Sequence, residues 1–189
     1  GPGAENEYGE AEKMTRALAG EGKRYVILSG GASRGNEMHR LRTLAMLDVL
    51  QEVHGVQFEQ GAEELAVVSE QTTVAVGGLE LMICPGYLEG EAARKAASEV
   101  ISTGAYTTVL SAVPVTALAD VLDAAEVQCG VIDCFSEDNY LGFKSGRIAY
   151  VAGKYQSEIG PGFAALYNAV TGNAGVYRVD GRAFRLEQG

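Results

Sequence analysis

Three short apolar runs, Tyr25-Val26-Ile27-Leu28, Thr107-Thr108-Val109-Leu110 and Gly130-Val131-Ile132, constrain this chain more than any other feature. Each run is unbroken rather than alternating, which marks a strand covered on both faces, and segments of helical spacing lie between them. This alternation predicts an α/β fold, a three-layer Rossmann-like unit with a mainly parallel sheet and helices on both faces. In such a sheet the loops that follow parallel strands gather at the carboxyl edge, so function is expected there.

The helices read as follows. Residues 5–19 carry Tyr8, Ala11, Met14, Ala17 and Leu18 on one side, and Gly20 and Gly22 end the segment. Residues 38–53 carry Leu41, Leu44, Ala45, Leu47 and Leu50. Residues 90–102 carry Ala92, Ala93, Ala96, Ala97, Val100 and Ile101, and 115–125 follow Pro114, where a missing N–H costs nothing. From 56 to 84 the composition turns β-rich, and Gly77-Gly78 marks a hairpin over 72–84, read as an insertion that decorates the sheet. From Cys129 onward the pattern is a strand ending at Asp133, a loop, a second strand, then a helix opened by Ser157 and closed by Gly172, with Ile159, Phe163, Leu166, Tyr167 and Val170 on one face. A small hairpin about Asp180-Gly181 is expected over 175–189.

A length of 189 residues suits one domain, taken as 1–189, and 47% hydrophobic with 21% charged residues predicts a packed core. Gly1-Pro2-Gly3 reads as a cloning remnant. The net charge of -10 and the scattered basic residues argue against a nucleic-acid partner. Three cysteines without a CxxC pair and two histidines lack zinc spacing, so no metal is expected, and the thiols read as small buried hydrophobes. The Gly30–Asn36 loop lacks both the Lys-Ser/Thr ending of a P-loop and GxGxxG, so a permissive turn is favoured over a phosphate cradle and no cofactor is expected. Neither Ser29 nor Ser33 sits in a GxSxG elbow, and Asp133 beside Cys134 is the only pair with catalytic flavour. An enzyme is therefore disfavoured against a binding module. The candidates at the carboxyl edge are Arg34 in the loop, Arg40 and Arg42 on the first turns of the next helix, Tyr87 just before a helix, and Asp133 with Phe135 after the last buried strand.

In this order of features the chain resembles the carboxy-terminal lobe of a type I periplasmic solute-binding protein, the sugar-binding family that shares its fold with LacI-like regulators. Asn6-Glu7-Tyr8-Gly9, then a helix and Lys23-Arg24-Tyr25-Val26-Ile27, is similar to the family's entry into its second lobe. Gly146-Arg147-Ile148-Ala149-Tyr150-Val151, Ile159-Gly160 and the helix to Thr171-Gly172 resemble its closing signature. The resemblance implies a ligand set of Asn6, Arg34, Arg40, Tyr87 as a stacking aromatic, Asp133 as ligand acid, Phe135 and Lys154. It also implies an extracytoplasmic protein, periplasmic or lipoprotein-anchored, that closes with a missing amino-terminal lobe on a small polar ligand, a sugar or derivative, and passes it to ABC permease subunits. The effector lobe of a LacI-like regulator is the alternative, ahead of a small Rossmann-like enzyme. The chain departs from the family pattern where many members carry Asn-Asp, here Ala112-Val113-Pro114, and where a Gln is common, here Gly153 or Lys154, which hints at a more acidic ligand.

Overall fold

Along β1 (Arg24–Gly30), Tyr25 and Ile27 point into one apolar layer while Val26 and Leu28 point into another, so the strand is covered on both sides. Full burial of each such side chain stabilises by about 1.5–3 kcal/mol, which makes this strand a central one. The computed structural model describes residues 2–134, 136–154 and 183–188. It contains a seven-stranded sheet in the order β2-β3-β1-β4-β5-β6-β7. β3 (Leu79–Pro85), β4 (Thr108–Ser111), β5 (Gln128–Cys134) and β6 (Tyr150–Lys154) run parallel to β1. β2 (Thr72–Val76) and β7 (Ala183–Glu187) are antiparallel at the two edges. The three predicted buried strands are adjacent and parallel, as their composition implied.

The first layer holds α1 (Pro2–Leu18) and α2 (Glu37–His54) against β1, β3 and β6. Ala11, Met14 and Leu18 face the sheet from α1, whereas Ala17 is exposed because the buried stripe runs through Glu7 and Thr15 instead. Asn36 opens α2 by accepting from His39 N–H at 3.2 Å, and Gly55, at φ +63, closes it. The opposite layer holds α4 (Glu91–Ser102), α5 (Ala119–Ala124), which starts as a 3-10 turn at Thr116–Leu118, and α6 (Glu137–Ser145).

Several sequence expectations are corrected. Residues 56–71 form no strand: Phe58, Ala62, Leu65 and Ala66 are buried at helical spacing, and the short helix α3 (Ala62–Leu65) results, so tertiary burial overrides β-rich composition. The hairpin over 72–84 forms, turned by Gly77 and Gly78 at φ +56 and +84, but β3 is the parallel neighbour of β1 and only β2 is additional. The loop expected after Asp133 is helix α6, because Ser136 accepts from Asn139 N–H at 3.1 Å, Glu137 and Asp138 occupy the first turn, and Gly146 supplies the left-handed stop. In the terminal hairpin, residues 183–187 pair with β6, while its first strand, like the helix expected after Ser157, lies outside the described residues.

β5 and β6 approach so closely that a Cβ at Gly153 would fall onto the carbonyl of Asp133. We therefore predict that Gly153→Ala lowers stability by about 1–3 kcal/mol through forced overpacking. Urea unfolding would check this, and an unchanged midpoint would show that the two strands separate freely.

Candidate functional site

The carboxyl ends of five parallel strands share one edge, and two clusters organise it. The first surrounds the turn after β1. Gly30 takes φ +59, and a Cβ there would meet Val113 and His39, so only glycine lets the chain turn this tightly. Gly31 N–H donates to His39 Nδ1 at 2.9 Å, which leaves the imidazole proton on Nε2. Burial first, and the Arg42 charge second, push the His39 imidazolium down to about 4, so this ring is neutral. Tyr87 meets His39 edge-on, with centroids 5.7 Å apart, and its hydroxyl accepts from Asn36 Nδ2 at 3.5 Å. Its ring covers Gly31 so closely that any Cβ there would collide with it. Tyr87 is still 38% exposed, so an aromatic surface remains open to a ligand.

The second cluster lies over β4 and β5. Arg42 is buried on α2, where its Nε donates to Glu7 Oε2 of α1 at 2.5 Å and its Nη1 donates to the carbonyls of Ala112 and Ile132, both at 2.9 Å. Asp133 follows Ile132. Asn139 of α6 donates to its Oδ2 at 2.9 Å and to the Cys134 carbonyl at 3.0 Å. Burial raises the Asp133 carboxyl above the ordinary aspartate value, partly opposed by the Cys134 N–H, Asn139 and Arg42. A half-buried carboxylate with unused acceptor positions at a sheet's carboxyl edge can take hydrogen bonds from hydroxyl groups.

The structure therefore places Asn6 on the first turns of α1 next to Glu7, Arg34 in the 3-10 turn after β1, Tyr87 after β3 and Asp133 at the end of β5. Arg40 lies at the start of α2, where its guanidinium donates to Glu37 and to Glu63, the latter at 2.6 Å. Arg42, two residues on, is the arginine that reaches the strand ends. Phe135 and the side chain of Lys154 lie outside the described residues. Sequence reasoning missed Glu7, His39 and Asn139. The signal for Glu7 was available, since it falls on the Ala11, Met14 and Leu18 face of its helix. Cys84 and Cys129 are buried, and their thiols are pushed up to about 12. Among the described residues no His/Cys/Asp/Glu cluster suits a metal ion, and no helix is long and apolar enough to cross a membrane. A groove of about 490 Å³ opens beside Tyr87, between the β1 turn, the end of β3 and the first turns of α4.

No family model and no curated protein matches the sequence. Solved structures do match in fold. A candidate LacI transcriptional regulator from Bacteroides fragilis superimposes with a TM-score of 0.58 at 14% identity, over 89% of this chain and 53% of its own. The carbohydrate transporter solute binding protein from Agrobacterium radiobacter, in complex with D-arabinose, gives 0.57 at 16%, over 96% of this chain and 59% of its own. GanP, a glucose-galactose binding protein from Geobacillus stearothermophilus, gives 0.58 at 12%, over 96% and 60%. The chain thus has the fold of a single lobe of a type I periplasmic binding protein, and it spans 53–60% of the length of these structures.

Removing one partner of a buried ion pair strands the other, so Arg42→Met should cost about 3–5 kcal/mol, with part of that recovered by adding Glu7→Gln. Equal unfolding midpoints for Arg42→Met and the native chain would sink this account. For His39 the folded value lies below the ordinary one, so the unfolded chain holds the proton more tightly. Its contribution is present above about pH 6.5 and is lost as the pH falls toward about 4. Asp133, raised by burial, works in the opposite sense, so the comparison is against His39→Gln. The stability difference between the native chain and this variant should shift against the native chain on acidification. A pH-independent difference in urea unfolding would contradict the assignment of a neutral ring.

Proposed function

We propose that the chain is one ligand-binding lobe of a two-lobed protein that closes on a sugar or sugar-like molecule. The observation that carries this reading is the pairing, at one sheet edge, of an exposed aromatic ring held by His39 and Gly31 with a desolvated acid held by Asn139. A sugar offers an apolar C–H face to a ring and hydroxyl donors to a carboxylate, and few other small ligands suit both. The sugars named for two fold neighbours support the same class. Asn6, Arg34, Tyr87, Asp133, Phe135 and Lys154 form the proposed ligand set, with Arg40 reaching the ligand only by exchanging an acidic partner. No step of bond chemistry is assigned to the edge, and the lobe binds rather than catalyses.

Delivery to an ABC-type permease by an extracytoplasmic protein is the reading we favour. Effector sensing by a LacI-like regulator is its competitor, supported by a regulator neighbour of equal TM-score. The coding sequence upstream of this segment separates them: a lipoprotein signal selects transport and a helix-turn-helix selects regulation.

The lobe alone encloses only one face of a ligand, so its binding should be weak. Titrating D-arabinose, D-glucose and D-galactose into the ¹⁵N-labelled chain should shift amides near Gly31 and Asp133, with dissociation constants on the order of 1 mM. Asp133→Asn should weaken that binding by about 2 kcal/mol, the worth of a hydrogen bond to a charged group. Submicromolar binding would contradict the half-clamshell reading, and unchanged affinity in Asp133→Asn would remove this acid from the site.

A further inference from the structure

We propose that the groove beyond Tyr87 is a second sugar subsite, so that the ligand of this edge is a di- or oligosaccharide; this rests on the reading of the Tyr87–Asp133 edge as a sugar site. The groove belongs to the same edge. Ser33 and Arg34 come from the turn after β1, Pro85 and Gly86 end β3, and Ser69 and Gln71 lead into β2, whose antiparallel pairing sets its start beside the end of β3. At about 490 Å³ it falls within the range of small-molecule sites. Tyr87 lines it as well, so the exposed ring assigned to sugar stacking is also a wall of the groove.

Distance argues for more than one sugar unit. From the end of β5, with Asp133, to the end of β3 is three strand spacings, roughly 14 Å. A pyranose ring, built of bonds of about 1.5 Å, covers only about a third of that span. A ligand that touches Asp133 and fills the groove therefore carries at least two rings.

The lining suits sugar chemistry rather than an ion. Acidic residues outnumber basic ones 25 to 15 in this chain. Arg16, Arg24, Arg40, Arg42, Arg147 and Arg185 all pair with carboxylates. Arg34 lines the groove and makes no ion pair or side-chain hydrogen bond among the described residues. Glu91 on the α4 side supplies acceptors and balances that charge, while Ser33, Ser69 and Gln71 can donate and accept. The floor is apolar and low. Ala92, Ala93 and Ala96 line it, and the alanine face of α4 packs into the core only from Ala97 onward. Larger residues at those positions would fill the space that a second ring would occupy.

The test is amide-shift titration of the ¹⁵N-labelled chain with D-glucose and D-galactose against maltose, cellobiose and lactose. The monosaccharides should shift amides near Gly31 and Asp133. At least one disaccharide should in addition shift Ser33, Gln71 and Ala93 and bind at least about tenfold tighter, or about 1.4 kcal/mol. Ala92→Trp, on an exposed helix position, should reduce that disaccharide to the affinity of its monosaccharide. If monosaccharides bind and no disaccharide gains affinity or moves the groove amides, the subsite is overturned while the sugar reading stands. A disaccharide gain that survives Ala92→Trp also overturns it, and if no sugar shifts either set of amides, both proposals fall.

Discussion

The buried pair of Glu7 and Arg42 ties three parts of the lobe to one point. α1 contributes the carboxylate, α2 the guanidinium, and β4 and β5 the carbonyls of Ala112 and Ile132. Desolvating two charges costs several kcal/mol per ion, so such a pair persists only where its remaining donors are also satisfied. Arg42 answers that need through Nη1, which donates to two carbonyls near the ends of β4 and β5. These carbonyls lie at the carboxyl ends of β4 and β5, beside the crevice between β1 and β4 where the chain passes from one side of the sheet to the other. A hydrophobic residue in place of Arg42 would fill the volume but leave two strand-end carbonyls without this donor. The pair thus fixes where the helices sit over the strand ends, and through Ile132 it fixes where Asp133 begins.

Electrostatically the pair removes itself from the site. Glu7 and Arg42 cancel, and His39, which lies near both, is held neutral by burial and by the Arg42 charge. What remains at the centre of the edge is Asp133, desolvated enough for its pKa to rise yet held by Asn139 and the Cys134 N–H. A carboxylate in this state gains more from a hydroxyl donor than one in water does, because its competing hydration is already reduced. The aromatic side of the edge is fixed by sterics instead: Tyr87 rests on a glycine that admits no side chain and against an imidazole whose tautomer the Gly31 N–H sets.

The strands were legible in the sequence wherever burial on both faces forced an unbroken apolar run, as at Tyr25 to Leu28 and Gly130 to Ile132. α6 was not, since Glu137 to Ser145 buries little beyond Asn139, Gly142 and Phe143; only its Ser136 cap and Gly146 stop betray it. Residues 56–71 misled for the opposite reason, because their Val and Phe content is that of a strand while their burial follows a helix. At the edge, Asp133 and Tyr87 could be placed from their position relative to strand ends. Arg42 could be placed at the edge but its partners could not, because hydrogen bonds to residues 35 and 90 positions away leave no local trace; Asn139 lies only six residues from Asp133, but it sits on a helix that the apolar pattern does not mark.

The hairpin between Thr72 and Pro85 shows how such a fold reshapes its carboxyl edge without altering its core. β3 is required, since it covers one side of β1. β2 is not: its side chains alternate between half-buried and exposed, and it pairs on one side only. Because it runs antiparallel, however, its beginning rather than its end lies at the carboxyl edge of the parallel strands, and Ser69 and Gln71 are brought there as a wall beyond Tyr87. Without β2, the space over Ala92 and Ala93 would be open surface on that side; with it, the space is a groove continuous with the ring of Tyr87. An added edge strand costs little packing, since the strands it joins are already formed, and it lengthens the edge in the one direction that the opposite strand, β7, does not. The residues that wall the groove therefore lie outside the part of the fold that most constrains the sequence, as expected where sites are built upon a shared scaffold.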